Sequence, residues 1–377
     1  MDAASLAQTL SSFADSQVAS LGEAERRALL GAATKLRDAL ESPVEKLIRV
    51  IFGVQEAAVL RLAIDMGVID IAVEKKGPIS VGELADKSKA DSILIYRVQR
   101  MLANLGFFHE VDVGVFTALP MAAAFVTGSP LKESAIHLST TLTTVAQFPE
   151  YFASVGYKNP IEAANGPWQY THKTTDDYFT WLKKQDPKYQ SAFNVAMSLQ
   201  NAVRGQQWFE YFPFEEKLKV DSPDRAAFVD VGGNLGHDLR VFHEKHPTFP
   251  GKLILEDLPQ VIADVKDLPS AIQPLAHDFF APQPIKGAKC YYMRIVLHDW
   301  PDVQAKQILN NTREAMAPDS ILLLNEGVLA EKNSPWIEPH LDFHMLTFVA
   351  AGERTERQWR ALLEGCGFDV VKIWAST

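Results

Sequence analysis

The chain reads as an α/β protein, with a Rossmann-like domain in its C-terminal part behind a mainly α domain of winged-helix type. Three observations predict this. Beyond residue 226, short apolar runs alternate with helical stretches. Repeated βα units of that kind imply a parallel sheet covered by helices on both faces. The first of these runs, AAFVDVG, feeds a glycine-rich turn that opens a helix. Ahead of them, residues 79–119 have the order helix, turn, helix, two-stranded hairpin.

Taken in chain order, residues 1–50 place apolar side chains at three- and four-residue intervals among Ala, Leu, Glu and Arg, which predicts helix. The next stretch, from Val44 to Gly77, is more continuously apolar, and such a helix hides in a core or against a second subunit. In the winged-helix stretch the hairpin falls across GFFHEV and GVFTAL. Its second helix, IYRVQRML, has few basic residues in an acidic chain, so packing or dimerisation is expected there and DNA binding is not. Residues 121–220 look like helices and loops dense in rings, among them Phe148, Tyr151, Trp168, Tyr170, Phe193, Trp208 and Phe212. Aromatics at that density build core, and between domains they also suit a wall for a flat organic substrate. The polar segment DSPDRA at 221–226 reads as a linker. Three regions are therefore expected: a dimerisation domain over 1–120, a substrate-lining region over 121–220 and a catalytic domain over 221–377.

Within the last region the expected strands are AAFVDVG, KLILED, AKCYYMRIVLH, SILLLNEGVL and a closing FDVVKIW. The helices between them are HDLRVFHEKH, LPQVIADV, DVQAKQILNNTREAM, a stretch around HLDFHMLTF, and ERTERQWRALLEGCG.

Composition narrows the partners. Of 377 residues, 47% are apolar and 22% charged, as in ordinary globular proteins. A net charge of −10 repels phosphate backbones, so a small molecule is a better partner than nucleic acid. Two cysteines, Cys290 and Cys366, give no disulfide framework and suit a reducing compartment. The first twenty residues lack the basic and apolar regions of a signal peptide, and no apolar run is long enough to span a membrane. A cytoplasmic enzyme is expected.

The central motif is Val229-Asp230-Val231-Gly232-Gly233-Asn234-Leu235-Gly236-His237. Glycine supplies positive φ and lets backbone approach a ligand closely. A dinucleotide fingerprint would need its first Gly at 231, where Val stands, so a nicotinamide or flavin is disfavoured. About twenty residues on, Glu256 and Asp257 end the next strand, where a carboxylate can accept from both ribose hydroxyls. The simpler reading is that Asp257 only caps the helix that follows. In His277-Asp278-Phe279-Phe280, Asp278 suits an adenine amino group and Phe279 the face of the ring, unless the string is only a surface turn.

With LHDW and GERT, these elements resemble the plant and fungal O-methyltransferase family related to caffeate O-methyltransferases. The matching strings are VDVGGNLGHDL, LEDLPQVI, HDFF, YYMRIVLHDWPD, LLLNEGVL and AGERTERQW, and the resemblance covers nearly the whole chain. It implies a class I domain binding S-adenosyl-L-methionine (SAM) and an N-terminal dimerisation domain, hence a homodimer. The implied cofactor set is Asp230, Gly232, Gly233, Gly236, Asp257, Asp278, Phe279 and Arg294. Where the family often has a third glycine, this chain has Asn234, a residue that tolerates left-handed backbone.

Methyl transfer to a hydroxyl requires loss of its proton, which His performs best near neutrality. His298 in Leu297-His298-Asp299-Trp300 lies just past a strand's carboxyl end, and the resemblance makes it the general base. Glu326 and Glu353 match the family's acidic partners, though Glu353 could also serve the helix after it. For substrate, His137 in SAIHLSTTL and Trp168 are the candidates, with a packing role for His137 equally open. His340 and His344 sit at i, i+4, but no third ligand is evident and HExxH is absent, so no metal is expected. Fungal relatives of the family also include enzymes that keep SAM as a fixed charge while catalysing pericyclic reactions or dehydration of polyketide-type substrates. That is the alternative to transfer onto a phenol or enol.

Overall fold

The computed structural model describes residues 2–16, 18–202 and 206–374. Its contacts divide the chain after Met121 into two compact units.

In the first unit, the expected N-terminal helix is three: Ala3–Ser16, Glu23–Leu40 and Pro43–Asp65. The break before Pro43 has a local cause. The Ser42 hydroxyl accepts from the Glu45 amide at 3.3 Å, and the Glu45 carboxylate accepts from the Ser42 amide at 2.8 Å. This capping box, with Pro at the first helical position, starts a new helix. That helix buries Ala63 and Ile64 but leaves Val44, Leu47, Ile51, Phe52 and Val54 exposed. The winged-helix order follows as expected. Helices Val81–Ser88 and Ser92–Asn104 precede strands β2 (Phe108–Asp112) and β3 (Val115–Ala118). A short β1 (Ile79–Ser80) adds antiparallel to β3. Ile79, Leu84, Ile95, Leu102, Phe108 and Phe116 make the core between them.

The second unit opens with short helices and continues as a five-stranded, all-parallel sheet. Its strands are β4 (Ala226–Val231), β5 (Lys252–Asp257), β6 (Ile272–Ala276), β7 (Cys290–Arg294) and β8 (Ile321–Asn325). They lie in the order β6-β5-β4-β7-β8. Both faces are apolar, as burial under helices on each side demands. Val229, Val231, Tyr291 and Met293 face Ile308, Leu309, Trp359 and Leu362. Phe228, Leu253, Leu255 and Tyr292 face Leu239 and Phe242. Trp208, Phe212 and Phe214 cover this second face, with the Trp208 ring stacked 5.1 Å from Phe228. These rings from the aromatic stretch therefore build core and not a substrate wall.

Two details differ from the sequence reading. The strand β6, IQPLA, was not expected, because Gln273 and Pro274 break its apolar pattern. Pro274 is tolerated because β6 is an edge strand, where one missing N–H need not be paired. The closing segment FDVVKIW forms no strand: residues 368–374 join no ladder, and Val371 is 93% exposed. Its alternation of apolar residues finds no neighbour beside β8. A last parallel pair joins β9 (Val328–Leu329) to β10 (Arg354–Thr355), bringing the GERT string to the end of β8.

Strand order reverses between β4 and β7. Ligands of such sheets bind at that switch point, outside the carboxyl ends of the strands.

Candidate active site

At the end of β4, Gly232 and Gly236 have φ of 71° and 76°, and Asn234 has 54°. The amides of Gly232 and Gly233 both donate to the Glu256 carbonyl, at 2.9 and 3.0 Å, which folds the turn back onto β5. A Cβ on Gly233 would lie 2.5 Å from the Asp230 carboxyl carbon and 2.6 Å from Leu255. A Cβ on Gly232 would point between Val296 and Phe279, at 3.2 and 3.5 Å. The turn thus lies against the HDFF string, as a shared crevice requires.

Asp257 receives the Asn234 amide on Oδ2 and the Leu258 amide on Oδ1, each at 2.7 Å. A carboxylate has about four acceptor sites, so two remain for hydroxyls. Neither bond caps the following helix Pro259–Asp264, whose N-cap Leu258 has no side-chain cap. Burial raises its pKa. Asp278 is exposed and accepts from the Phe280 amide at 2.9 Å, while Phe279 packs edge-on to Phe280 and Trp300. Asp230 is fully buried behind the turn, its Oδ2 without a partner, and burial with the nearby Asp238 carboxylate pushes its pKa far up. Arg294, ending β7, pairs through Nε with Asp238 at 2.7 Å, and Tyr292 donates to the same oxygen at 2.6 Å. Asp230, Gly232, Gly233, Gly236, Asp257, Phe279 and Arg294 thus gather around the switch point, and Asp278 borders it from the exposed side.

The residue after Arg294 is strained. Ile295 has φ of 50°, a conformation that a β-branched side chain avoids. It turns the chain off β7 into the short helix Leu297–Asp299. Glu326, at the end of β8, holds this turn: its Oε1 accepts from the Val296 and Leu297 amides at 3.0 and 2.8 Å. Its Oε2 is buried without a partner. Burial raises the Glu326 pKa to about 7.

His298 is buried, and its Nδ1 is 2.8 Å from Glu353 Oε1. Nε2 lies 3.5 Å from Asp299. Burial alone would depress the imidazolium. The carboxylates of Asp299, Glu353 and Glu326 outweigh it and lift the pKa to about 9. Glu353 is itself held, since its amide donates to Asp342 at 3.0 Å. Arg354 ties the two strings together by donating to the Leu297 and Trp300 carbonyls at 2.9 and 2.8 Å. Of the two expected acids, Glu353 touches the imidazole, while Glu326 clasps the backbone that carries it.

The substrate candidates lie in a box of rings. His137, on the helix Pro130–Ser139, stacks on Phe348 at 5.3 Å and meets Phe193 edge-on at the same distance. Trp168 is fully buried, packed on His172, Tyr178, Trp181 and Phe348, so it backs the box and offers no surface of its own. Tyr178 and Phe179 line one small cavity together with Asp299 and Trp300. Among the described residues no group of His, Cys, Asp and Glu could hold a metal.

Sequence reasoning missed Asp238, Asp299 and Asp342. Asp238 lies two residues past Gly236, and Asp299 is the neighbour of the base in LHDW, so nearness in sequence was the available signal for both. Asp342 reaches Glu353 across 11 residues, and no spacing rule reveals that.

A family model for the O-methyltransferase domain matches residues 157–369, and one for the O-methyltransferase dimerisation domain matches 48–128. The chain is 36% identical to O-methyltransferase mfmE of Annulohypoxylon moriforme, over 99% of this chain and 92% of that one. It superposes on the structure of LepI in complex with SAM with a TM-score of 0.83 at 29% identity, covering 97% of this chain and 94% of that one. A solved structure described as a pericyclic reaction enzyme gives 0.85 at 28% identity, covering 99% and 96%. This chain belongs to the O-methyltransferase family, with the family's dimerisation domain ahead of its methyltransferase domain.

Proposed function

We propose that this protein transfers a methyl group from SAM to the hydroxyl of a planar phenolic or enolic small molecule of fungal secondary metabolism, with His298 as the general base. The observation that carries this reading is the buried His298–Glu353 pair at 2.8 Å, set where the chain leaves β7 at the switch point. SAM, the family's cofactor, supplies an electrophilic methyl on a sulfonium. The glycine turn, Asp257, Asp278, Phe279 and Arg294 are the residues to hold it. The tight glycine turn and the acceptor sites left on Asp257 fit a ribose-bearing ligand.

The residues then divide the work. Glu353 takes the Nδ1 proton of His298 in a hydrogen bond, which fixes the tautomer and leaves Nε2 to accept the proton of the substrate hydroxyl. Once formed, the imidazolium is stabilised by Asp299, Glu353 and Glu326. Glu326 keeps the turn rigid, so that Nε2 is presented in one direction. His137 and the rings around it orient the substrate.

One observation favours a second reading. With a pKa lifted to about 9, His298 is a proton donor at neutral pH before any ligand binds. Such a donor suits a substrate carbonyl in a dehydration or pericyclic step in which SAM is not consumed. One experiment separates the two. Purified protein is incubated with SAM and a panel of phenols, enols and 2-pyridones, and products are followed by mass spectrometry. A product heavier by one methylene, with an equal amount of S-adenosylhomocysteine, supports transfer. A product of unchanged mass, or one lacking water, formed only with SAM present and without S-adenosylhomocysteine, would replace the proposal by the second reading.

A further inference from the structure

Glu353 holds His298 with one oxygen only. Its Oε1 is 2.8 Å from Nδ1 of the imidazole, while its Oε2 is buried without a hydrogen-bond partner. What stands against Oε2 is Gly327, the residue after Glu326. A Cβ on Gly327 would lie 2.9 Å from Oε2, inside van der Waals contact, and 3.6 Å from the carboxyl carbon. Apart from its chain neighbours, it would meet nothing else within 4 Å. Gly327 does not take the left-handed backbone that favours glycine, so space and not conformation calls for glycine here. Gly352 repeats the arrangement one link back. A Cβ there would lie 2.5 Å from Asp342 Oδ1, the atom that receives the Glu353 amide.

Neither backbone is free to give way. Gly327 follows Glu326, whose carboxylate is tied to the Val296 and Leu297 amides, and leads into β9. Its own carbonyl accepts from the buried Trp359 indole at 2.9 Å. On the other side, the Glu353 amide is tied to Asp342, and Arg354 holds the Leu297 and Trp300 carbonyls. Val328 pairs with Arg354 in the parallel register of β9 and β10, which sets Gly327 beside Glu353 one step ahead of that pair. The part able to yield to a new Cβ is therefore the Glu353 side chain. If it swings aside, its bond to His298 lengthens, while the fold loses little.

We propose that Gly327 is a positioning residue for the His298–Glu353 pair: by presenting no side chain, it lets the Glu353 carboxyl stand where it can hold Nδ1. Its bearing on the reaction rests on the reading of His298 as base, but the pair itself is tested without turnover. The full chain, saturated with S-adenosylhomocysteine, is prepared with isotope-labelled histidine, and the His298 ring is titrated by NMR, its signals identified by their loss in His298→Ala. Gly327→Ala moves that titration down by about half a pH unit or more, part of the one to three that an adjacent opposite charge supplies. Asp299 and Glu326 still face the ring and keep the rest. Affinity for S-adenosylhomocysteine stays within about threefold, and single-turnover methyl transfer slows by about tenfold, as a misplaced orienting group requires. In a Glu353→Ala background the same substitution changes neither the titration nor the rate further, because the atoms it strikes are gone. A lowered titration with unchanged transfer upholds the role of Gly327 and removes His298 as base, so the two failures are told apart. If Gly327→Ala alone does not bind S-adenosylhomocysteine, the variant that also carries Glu353→Ala regains binding. The proposal is overturned if Gly327→Ala leaves the His298 titration in place, if its effect is as large without Glu353, or if neither the single nor the double variant binds S-adenosylhomocysteine.

Discussion

At the scale of single residues, the site is an imbalance of charge. One imidazole faces the carboxyls of Asp299, Glu326 and Glu353, and the surplus of acid decides its protonation. Burial favours neutral imidazole, but the acids win, which places the ascending limb of any base-catalysed reaction well above neutrality. Methyl transfer should therefore rise with pH from neutrality toward about 9, as neutral His298 becomes populated. Glu353→Gln removes an anion that stabilises the imidazolium. The limb should then move to lower pH, and the plateau should fall because the imidazolium is less stabilised. A pH–rate profile of both proteins checks the sign. A limb that stays in place, or moves upward, would separate Glu353 from the base.

At the scale of elements, the second unit works because the ends of β4, β7 and β8 and the β10 string converge on one crevice. The glycine turn is packed tightly from behind. Gly233→Ala would drive a Cβ to 2.5 Å from the Asp230 carboxyl and 2.6 Å from Leu255. It should cost about 1–3 kcal/mol of stability, as overpacking does, and weaken S-adenosylhomocysteine binding as well. Thermal melts with and without S-adenosylhomocysteine measure both, and a melt equal to wild type in both conditions would contradict this packing. Much of this level was readable in the sequence. The strand, turn and helix at 226–245, the winged-helix order and the LHDW loop carry strong local signals: glycine spacing, capping residues and apolar period. The strand β6 was hidden by Gln273 and Pro274, because an edge strand need not be apolar. The closing FDVVKIW misled, because its alternation reports capacity for a strand and not the presence of a neighbour. The roles of Glu326 and Glu353 were readable only as a pair. Which one touches the imidazole depends on how β8 and β10 end, a tertiary matter no local pattern encodes.

At the scale of the whole molecule, the two units have different tasks. The first carries the dimerisation domain and exposes an apolar stripe along Pro43–Asp65, with Leu47, Ile51 and Phe52 each at least half exposed in the single chain. Burying such a stripe against a second copy is worth roughly 25 cal/mol for each Å² removed from water. Light scattering should find a dimer, and Leu47→Glu with Phe52→Glu should yield monomers. A wild-type monomer at micromolar concentration would refute this. Among the described residues no helix is long and apolar enough to cross a membrane. The second unit holds the switch point and the His298–Glu353 pair, where His298 is proposed to move the proton while other residues hold the cofactor. The measurement that tests this most directly is a single-turnover assay of His298→Ala beside its affinity for S-adenosylhomocysteine. Affinity should stay within about threefold of wild type while methyl transfer slows by about 100-fold or more, the usual worth of a general base. Unchanged transfer at unchanged affinity would remove His298 from the mechanism.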